Sequence, residues 1–334
     1  MKIAGADVLV LGGAGFIGSH LVRDLLERGA RVGVFDDLSS GLAENLAPVA
    51  GEVEFIRGSI LDSAALARAM RGRDAVSHHA AQLEITKCID DPLGDLTTNL
   101  IGTINVLTAA RDAGVKKIVN ASSACVYGQN GTGGPSDEAL GPTDPNWSYG
   151  ASKLAAEKYA QVFAADYGLD VTSFRYGIVY GEREWYGRVL TIFLRRALAG
   201  DAPVVFGAGS QVRDFTYVGD VVEANRRALE RDAQGAIALN VGTAVATSVR
   251  DLADLVCDLT GVGAPVHEQI APGEASSLVD GRVRLPAELE RMQLGNDRIA
   301  RVLGFRPATR LRDGLAHEWA WLREHPQRWT VMHY

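Results

Sequence analysis

Three groups of residues in this 334-residue chain have types and spacings suited to chemistry. The first is Gly12-Gly13-Ala14-Gly15-Phe16-Ile17-Gly18, which holds two overlapping glycine patterns, Gly13/Gly15/Gly18 and Gly12/Gly15/Gly18. Without side chains, the backbone there can turn sharply and touch a pyrophosphate, whose charge meets the N–H groups of a following helix. Asp36 stands about 20 residues on, where a carboxylate accepts hydrogen bonds from ribose hydroxyls. An acid there repels a 2′-phosphate, so the pattern favours NAD over NADP. The second group is Tyr149 and Lys153, whose spacing puts both on one helix face. A nearby ammonium favours the phenolate and is expected to lower the tyrosine pKa from about 10. Such a tyrosine can remove a hydroxyl proton while hydride leaves the same carbon. The third is Asn120-Ala121-Ser122-Ser123-Ala124-Cys125-Val126-Tyr127-Gly128, at a strand end, where a serine can hydrogen-bond the same substrate oxygen. Each group alone has a plain alternative: a glycine turn with a surface aspartate, or a chance Tyr-x-x-x-Lys. Their occurrence in one order favours the chemical reading.

The elements that must position these groups alternate. Val8-Leu9-Val10-Leu11 reads as a buried strand, and residues 16–28 then show helical spacing that Gly29 stops. Further strands are expected at 31–35, 53–57, 75–78, 117–121 and 171–174. Helices are expected at 63–71, about 93–113, and 152–167. Alternation at this spacing implies right-handed crossovers and an α/β fold with a Rossmann-type, doubly wound parallel sheet. The second half is less regular, with Gly and Pro clusters at 200–209, 261–265 and 271–273, helices near 220–230 and 249–260, and a short strand at 239–241. It is expected to form a smaller, interleaved C-terminal lobe. The expected division is 1–175 for the dinucleotide domain, with a returning segment near 212–245, and mainly 176–334 for the substrate lobe.

Composition excludes several classes. Hydrophobic residues make up 47% and charged residues 22%, which fits a globular protein rather than a disordered or fibrous one. A net charge of −7 argues against a general nucleic-acid or anionic-membrane surface. No run of about 18 apolar residues occurs, so no membrane span is expected. Cys88, Cys125 and Cys257 cannot build a disulfide framework and lack metal-ligand spacing, so no metal is expected, and reduced thiols in a cytoplasm are the simplest reading. His78 and His79 are adjacent at a strand end and point to opposite sides, which disfavours a metal pair. His79 is expected to line the cofactor site by its backbone.

With these residues in view, the chain resembles the extended short-chain dehydrogenase/reductase family, in its nucleotide-sugar epimerase/dehydratase branch. The resemblance covers nearly the whole chain. It rests on the glycine loop, Asp36, His79-Ala80-Ala81-Gln82, Asn99 with Gly102-Thr103-Ile104-Asn105-Val106-Leu107, Ser122-Ser123-Ala124, and Tyr149/Lys153. It continues through Arg175-Tyr176-Gly177, Val179-Tyr180-Gly181, Arg213-Asp214-Phe215 and Asn240-Val241-Gly242. The resemblance implies a Ser123–Tyr149–Lys153 triad and a tightly held NAD. It implies cofactor contacts from Gly12, Gly15, Phe16, Ile17, Gly18, Asp36, Asp37, Ser39, Ser59 and Ile60. It also implies contacts from Ala80, Ala81, Gln82, Asn99, Ser122, Tyr149, Lys153, Tyr176 and Val179. A nucleotide diphospho-sugar is the implied substrate, met by Ser123, Cys125, Tyr149, Ile178, Arg188 and Arg213. A homodimer is implied, paired through the helices at 94–113 and 152–167.

Departures from the family pattern narrow the reaction. The 4,6-dehydratases of the branch look like Thr-Asp-Glu where this chain has Ser123-Ala124-Cys125, so water loss lacks its usual acid and base. Epimerisation, expected at C4 through a transient 4-keto sugar, needs neither. Alternatives are an atypical dehydratase and a 3,5-epimerase using Cys125 as an acid/base thiol. The lysine that partners such a thiol in relatives is missing from Glu182-Arg183-Glu184-Trp185-Tyr186-Gly187. Arg213 is the expected diphosphate fork, with a surface Arg–Asp neighbour pair as its alternative and Arg188 or Arg183 as helpers. Ile178 stands where many relatives have a substrate-binding Asn, so the grip must differ. Trp185-Tyr186 reads either as a stacking pair for base or sugar or as a loop anchor.

Overall fold

The structure, a computed structural model, describes residues 1–129, 134–139, 141, 143–184, 186–284 and 288–331. The chain opens with β1 (Asp7–Leu11), α1 (Phe16–Glu27), β2 (Arg31–Asp36), β3 (Val53–Arg57), α2 (Ser63–Met70) and β4 (Ala75–His78). Two short helices follow, α3 (Ile85–Asp90) and α4 (Pro92–Asp95), then a π-helical turn (Leu96–Ile101), α5 (Gly102–Ala113) and β5 (Lys117–Ser123). Next come α6 (Ser148–Tyr167), β6 (Asp170–Tyr176), β7 (Ile178–Tyr180), α7 (Val189–Leu198), β8 (Val204–Phe206), β9 (Val212–Arg213) and β10 (Phe215–Tyr217). The rest holds α8 (Val218–Glu230), β11 (Gly235–Val241), β12 (Thr247–Ser248), α9 (Val249–Thr260), β13 (Val266–Glu268), α10 (Asp297–Leu303) and α11 (Leu311–Glu324).

Seven strands form one parallel sheet in the order β11-β6-β5-β4-β1-β2-β3. Parallel strands covered on both faces must be apolar throughout, and β1 shows why the run Val8–Leu11 has no polar break. Val8 and Val10 face a core that takes Leu21 and Leu25 from α1 and Val221 and Leu229 from α8. Leu9 and Leu11 face the opposite core, with Leu66 of α2, Val106 of α5 and Phe163 of α6. A helical crossover of one hand from strand to strand produces this double winding.

The smaller lobe has its own core, in which Leu190 and Phe193 of α7, Val205, Leu252 and Val256 of α9 and Leu315 of α11 pack together. Three two-stranded pieces brace it: β7 with β10, β9 with β12, and β8 with β13. The chain enters this lobe after β6, returns to the large sheet through α8 and β11, and leaves again. The lobes are therefore interleaved.

Several element boundaries differ from those expected, among them β6, which runs Asp170–Tyr176, and β11, which already starts at Gly235. The helix near 93–113 is interrupted by the π turn, where Asn99 is buried and the Thr103 hydroxyl donates to the Asn99 carbonyl at 2.7 Å. Such turns often occur at functional sites, and here the break lets the Asn99 side chain hold a neighbouring loop. Helix α6 starts at Ser148 rather than 152, so Tyr149 is already inside its first turn. Strand β5 runs to Ser123 rather than stopping at 121, because its pairing with β6 continues to Ser123↔Tyr176.

Candidate active site

The carboxyl ends of β1, β2, β4, β5 and β6 open into one cavity of about 900 Å³, at the upper end for small-ligand sites. Its floor is the glycine loop. A Cβ on Gly12 would lie 2.6 Å from the Ala80 nitrogen, and one on Gly18 would lie 2.2 Å from the Gly12 carbonyl oxygen. Gly12 also has φ of 76°, a left-handed conformation that favours glycine. A side chain on Gly12 would force the loop away from the β4 end, and one on Gly18 would force α1 away from the loop. The Asp36 carboxylate closes the loop from β2, accepting from the Ala14 N–H at 2.9 Å and the Leu38 N–H at 2.8 Å. Burial nevertheless raises its pKa.

This floor fits NAD on its own geometry: a side-chain-free cradle at a helix N-terminus with a carboxylate one strand over. Gly12, Gly15, Phe16, Ile17, Gly18, Asp36, Asp37 and Ser39 line the cavity at that end. Ser59, Ile60, Ala80, Ala81, Gln82, Tyr176 and Val179 continue the wall. His79 also lines it, stacked on the Tyr176 ring at 6.4 Å, while His78 turns the other way to Thr103.

Two of the residues implied by family resemblance do not line this cavity. Asn99 sits beneath it. Its amide donates to the Gln82 carbonyl at 2.9 Å and to Asp95 at 2.6 Å, and its oxygen accepts from the Gln82 N–H. Its place is thus to hold the loop after β4. Arg213 lies behind Cys125, and its guanidinium donates to the Val212 carbonyl at 2.8 Å. The alternative of a surface Arg–Asp pair also fails. Asp214 is fully buried and accepts from the Thr243, Ala244 and Leu294 N–H groups, so it ties loops together.

Ser123, Tyr149 and Lys153 meet at the other end of the cavity. Ser123 accepts from the Cys125 N–H at 3.1 Å, which fixes its oxygen beside Tyr149. The Lys153 nitrogen lies 5.8 Å from the Tyr149 ring centre and donates to the Ala121 carbonyl at 2.9 Å. Beneath them, Glu157 accepts from Arg175 at 2.7 Å and from the Ser122 hydroxyl at 2.5 Å. Ser122 therefore lines the cavity with its side chain committed to the scaffold.

The electrostatics correct one expectation. The Tyr149 pKa is raised rather than lowered, first by burial and then by Cys125 and Cys88; Arg188 and a hydrogen bond with Ser123 pull the other way. Lys153 is itself pushed down to about 8 by burial, against the pull of Asp95, Cys88 and Glu157. At both groups desolvation by burial outweighs the charge interactions that favour the ionised form. A positive charge brought into the cavity favours the phenolate.

Cys125, Ile178 and Arg188 also line the cavity. Burial raises the Cys125 thiol, against smaller contributions from Ser123, Arg213 and Arg188, so the thiol stays protonated at neutral pH. Arg188 is held by Glu184 at 2.5 Å and by the Val179 carbonyl at 2.9 Å. Arg183 does not line the cavity. Several lining residues had no signal of their own in the sequence: Glu84 and Lys87 around α3, and Met292, which arrives from 110 or more residues beyond β7. Tyr186 lines the wall, while Trp185 lies outside the described residues. Among the described residues no group of three metal-ligating side chains occurs, and no helix is long and apolar enough to cross a membrane.

Comparison with known proteins agrees with this geometry. A model of the NAD dependent epimerase/dehydratase family matches residues 8–242. A UDP-glucose 4-epimerase of Mycolicibacterium smegmatis is 38% identical over 315 residues, covering 92% of this chain and 96% of that protein. The UDP-glucose 4-epimerase of Thermus thermophilus in complex with NAD is 36% identical, with TM-score 0.84 over 96% of this chain and 99% of that one. The Thermotoga maritima UDP-glucose 4-epimerase with UDP-glucose is 35% identical, with TM-score 0.83 over 95% and 99%. The glycine cradle, the aspartate after β2 and the serine–tyrosine–lysine wall thus belong to a chain of known kinship, and this protein is a member of the NAD dependent epimerase/dehydratase family.

Proposed function

We propose that this enzyme inverts C4 of a UDP-hexose or its uronic acid. The observation that carries the reading is a Ser123–Tyr149–Lys153 wall in one cavity with the glycine cradle, and Ala124-Cys125 directly after Ser123 where the dehydratase pattern has its acids. Ala124 and Cys125 pack instead into an apolar cluster with Val126, Leu289 and Leu294. NAD would be held by the glycine cradle and Asp36 and would supply reversible hydride transfer at the sugar carbon. Tyr149 takes the hydroxyl proton and later gives it back to the same oxygen. Ser123 hydrogen-bonds that oxygen, and Lys153 favours the ionised phenol. The small, apolar Ile178 leaves the sugar without one polar tether, which suits a ring that must present its other face. UDP as the carrier is supported by the UDP-glucose 4-epimerases of similar length and fold.

The alternatives have less support. A protonated Cys125 with no lysine in the stretch 182–187 to partner it is a poor acid/base group for C3 or C5, and dehydration lacks the acids that follow Ser123 in the dehydratase pattern. A homodimer is supported by exposed apolar side chains on the helices expected to pair: Leu93, Leu96, Ile101, Tyr159 and Val162. Free Cys88, Cys125 and Cys257 fit a reducing compartment such as the cytoplasm. The test is product analysis by NMR after incubation with UDP-, GDP-, CDP- and dTDP-hexoses. A C4 epimer from a UDP-sugar is expected; a 4-keto-6-deoxy product alone would contradict the reading.

A further inference from the structure

Behind the glycine loop, away from the catalytic cavity, four basic side chains from three segments converge. His20 and Arg23 lie on one face of α1. The His20 Nε2 is 2.7 Å from the Glu182 carbonyl oxygen, which brings the next residue, Arg183, against the helix. Arg183 is only 6% exposed and has φ of 69°, a left-handed conformation unfavourable for a side chain of its size. Its Nε has no hydrogen-bond partner, and neither does the Arg23 Nε. Arg23 donates through Nη2 to the Asn45 carbonyl at 3.2 Å, and Arg328 donates through Nη2 to the Asn45 side-chain oxygen at 2.7 Å. All three guanidinium groups are therefore gathered around one corner, and Arg183 feels both of the others.

No carboxylate among the described residues forms an ion pair with any of the three. Glu182 is the nearest acid to Arg183, and its two oxygens accept from the Tyr217 hydroxyl at 2.9 Å. Glu27 and Glu44 face Arg23 and Arg328 from outside. The electrostatics agree. Arg183 is pushed down to about 9 by burial, then by Arg23, and His20 to about 3 by burial, then by Arg183. A fold gains nothing by burying the Arg183 charge beside two half-buried arginines with no carboxylate paired to it, and strained, over-determined residues cluster at ligand sites.

We propose that His20, Arg23, Arg183 and Arg328 form a second anion site, which takes a small phosphate-bearing ligand. Planar guanidinium forks match the oxygens of a tetrahedral oxyanion, and the two free Nε–H groups are donors without acceptors. The ligand is either free phosphate or a small phosphate monoester. A nucleic-acid backbone is disfavoured by the net charge of −7. Asn45, which carries two of the arginines, also donates through its amide to the Ala14 carbonyl at 2.8 Å. Occupancy of this site is thus one residue away from the loop that holds the dinucleotide.

The test uses the full chain with NAD and UDP in excess, so that both diphosphate positions in the main cavity are filled. Thermal midpoint and ³¹P line width are followed as inorganic phosphate or glycerol 3-phosphate is added at constant ionic strength, with chloride as the balance. The proposal expects a saturable rise in midpoint, lost in Arg183→Gln and shifted to about tenfold higher ligand concentration in Arg328→Gln. The ligand that saturates at lower concentration identifies the source. Arg328 is more exposed than Arg183, so its variant carries the test if Arg183→Gln does not fold. No saturable rise beyond that given by chloride, or the same rise in wild type and both variants, would overturn the proposal.

Discussion

Tyr149 sits where burial opposes its ionisation, so its proton transfers depend on what the wall around it supplies. Replacing it with Phe removes the acid/base group while keeping the ring, and kcat is expected to fall about 10²- to 10⁴-fold with NAD content unchanged. Full turnover by Tyr149→Phe would remove the group from the mechanism. Cys125→Ser is expected to keep kcat within about threefold, since a protonated thiol is not asked to move a proton. Lys153 gives the clearest pH signature. Burial pushes it from 10.5 to about 8, so between those values the unfolded chain binds the proton more tightly than the folded one. Stability therefore rises with pH through that window, and the gain is lost as pH falls through about 8. Relative to Lys153→Met, the wild type is expected to gain about 2 kcal/mol between pH 8 and pH 10, as read by urea denaturation across pH. A flat difference would show the amine to be better solvated than its burial implies.

At the scale of elements, the Ser123–Tyr149–Lys153 wall is held by the joint between β5, β6 and α6. Glu157 of α6 receives Arg175 of β6 and Ser122 of β5, all of them buried. Removing one partner leaves a buried, uncompensated charge, so Glu157→Ala is expected to cost about 3 to 5 kcal/mol in denaturant-induced unfolding. A loss below about 1 kcal/mol would mean that Arg175 finds solvent. This joint was not legible in the sequence, because a Glu at the tenth position of a helix announces nothing about the strands beneath it. The elements themselves were legible. An unbroken apolar run such as Val8–Leu11 has no stable place except a covered parallel strand, and the glycine string between it and α1 admits few other geometries. The π turn at Leu96–Ile101 was hidden because its residues continue an ordinary helical pattern. Tyr149 and Lys153 could be paired by spacing, but the sign of the tyrosine shift could not, since spacing reports a neighbour and not the water it displaces.

The whole molecule leaves an apolar face on the helices flanking the catalytic joint. Leu93 is 74% exposed and Val162 is 51% exposed. With a homodimer formed there, Leu93→Glu combined with Val162→Glu is expected to give a monomer by light scattering, with the large sheet intact by circular dichroism. An unchanged mass would place the interface elsewhere. Met292 and Arg188 reach the cavity from the small lobe, so closure of the sugar end depends on how that lobe seats against the sheet. Long-range packing of this kind has no local pattern, which is why the nucleotide end could be outlined from the chain and the sugar end only in part. The account rests on one carbon losing and regaining its own hydride beside Tyr149. The direct measurement uses a UDP-hexose deuterated at C4 and follows the label by NMR. Retention at C4 of the inverted sugar is predicted; label at C6, or lost to solvent, would contradict it.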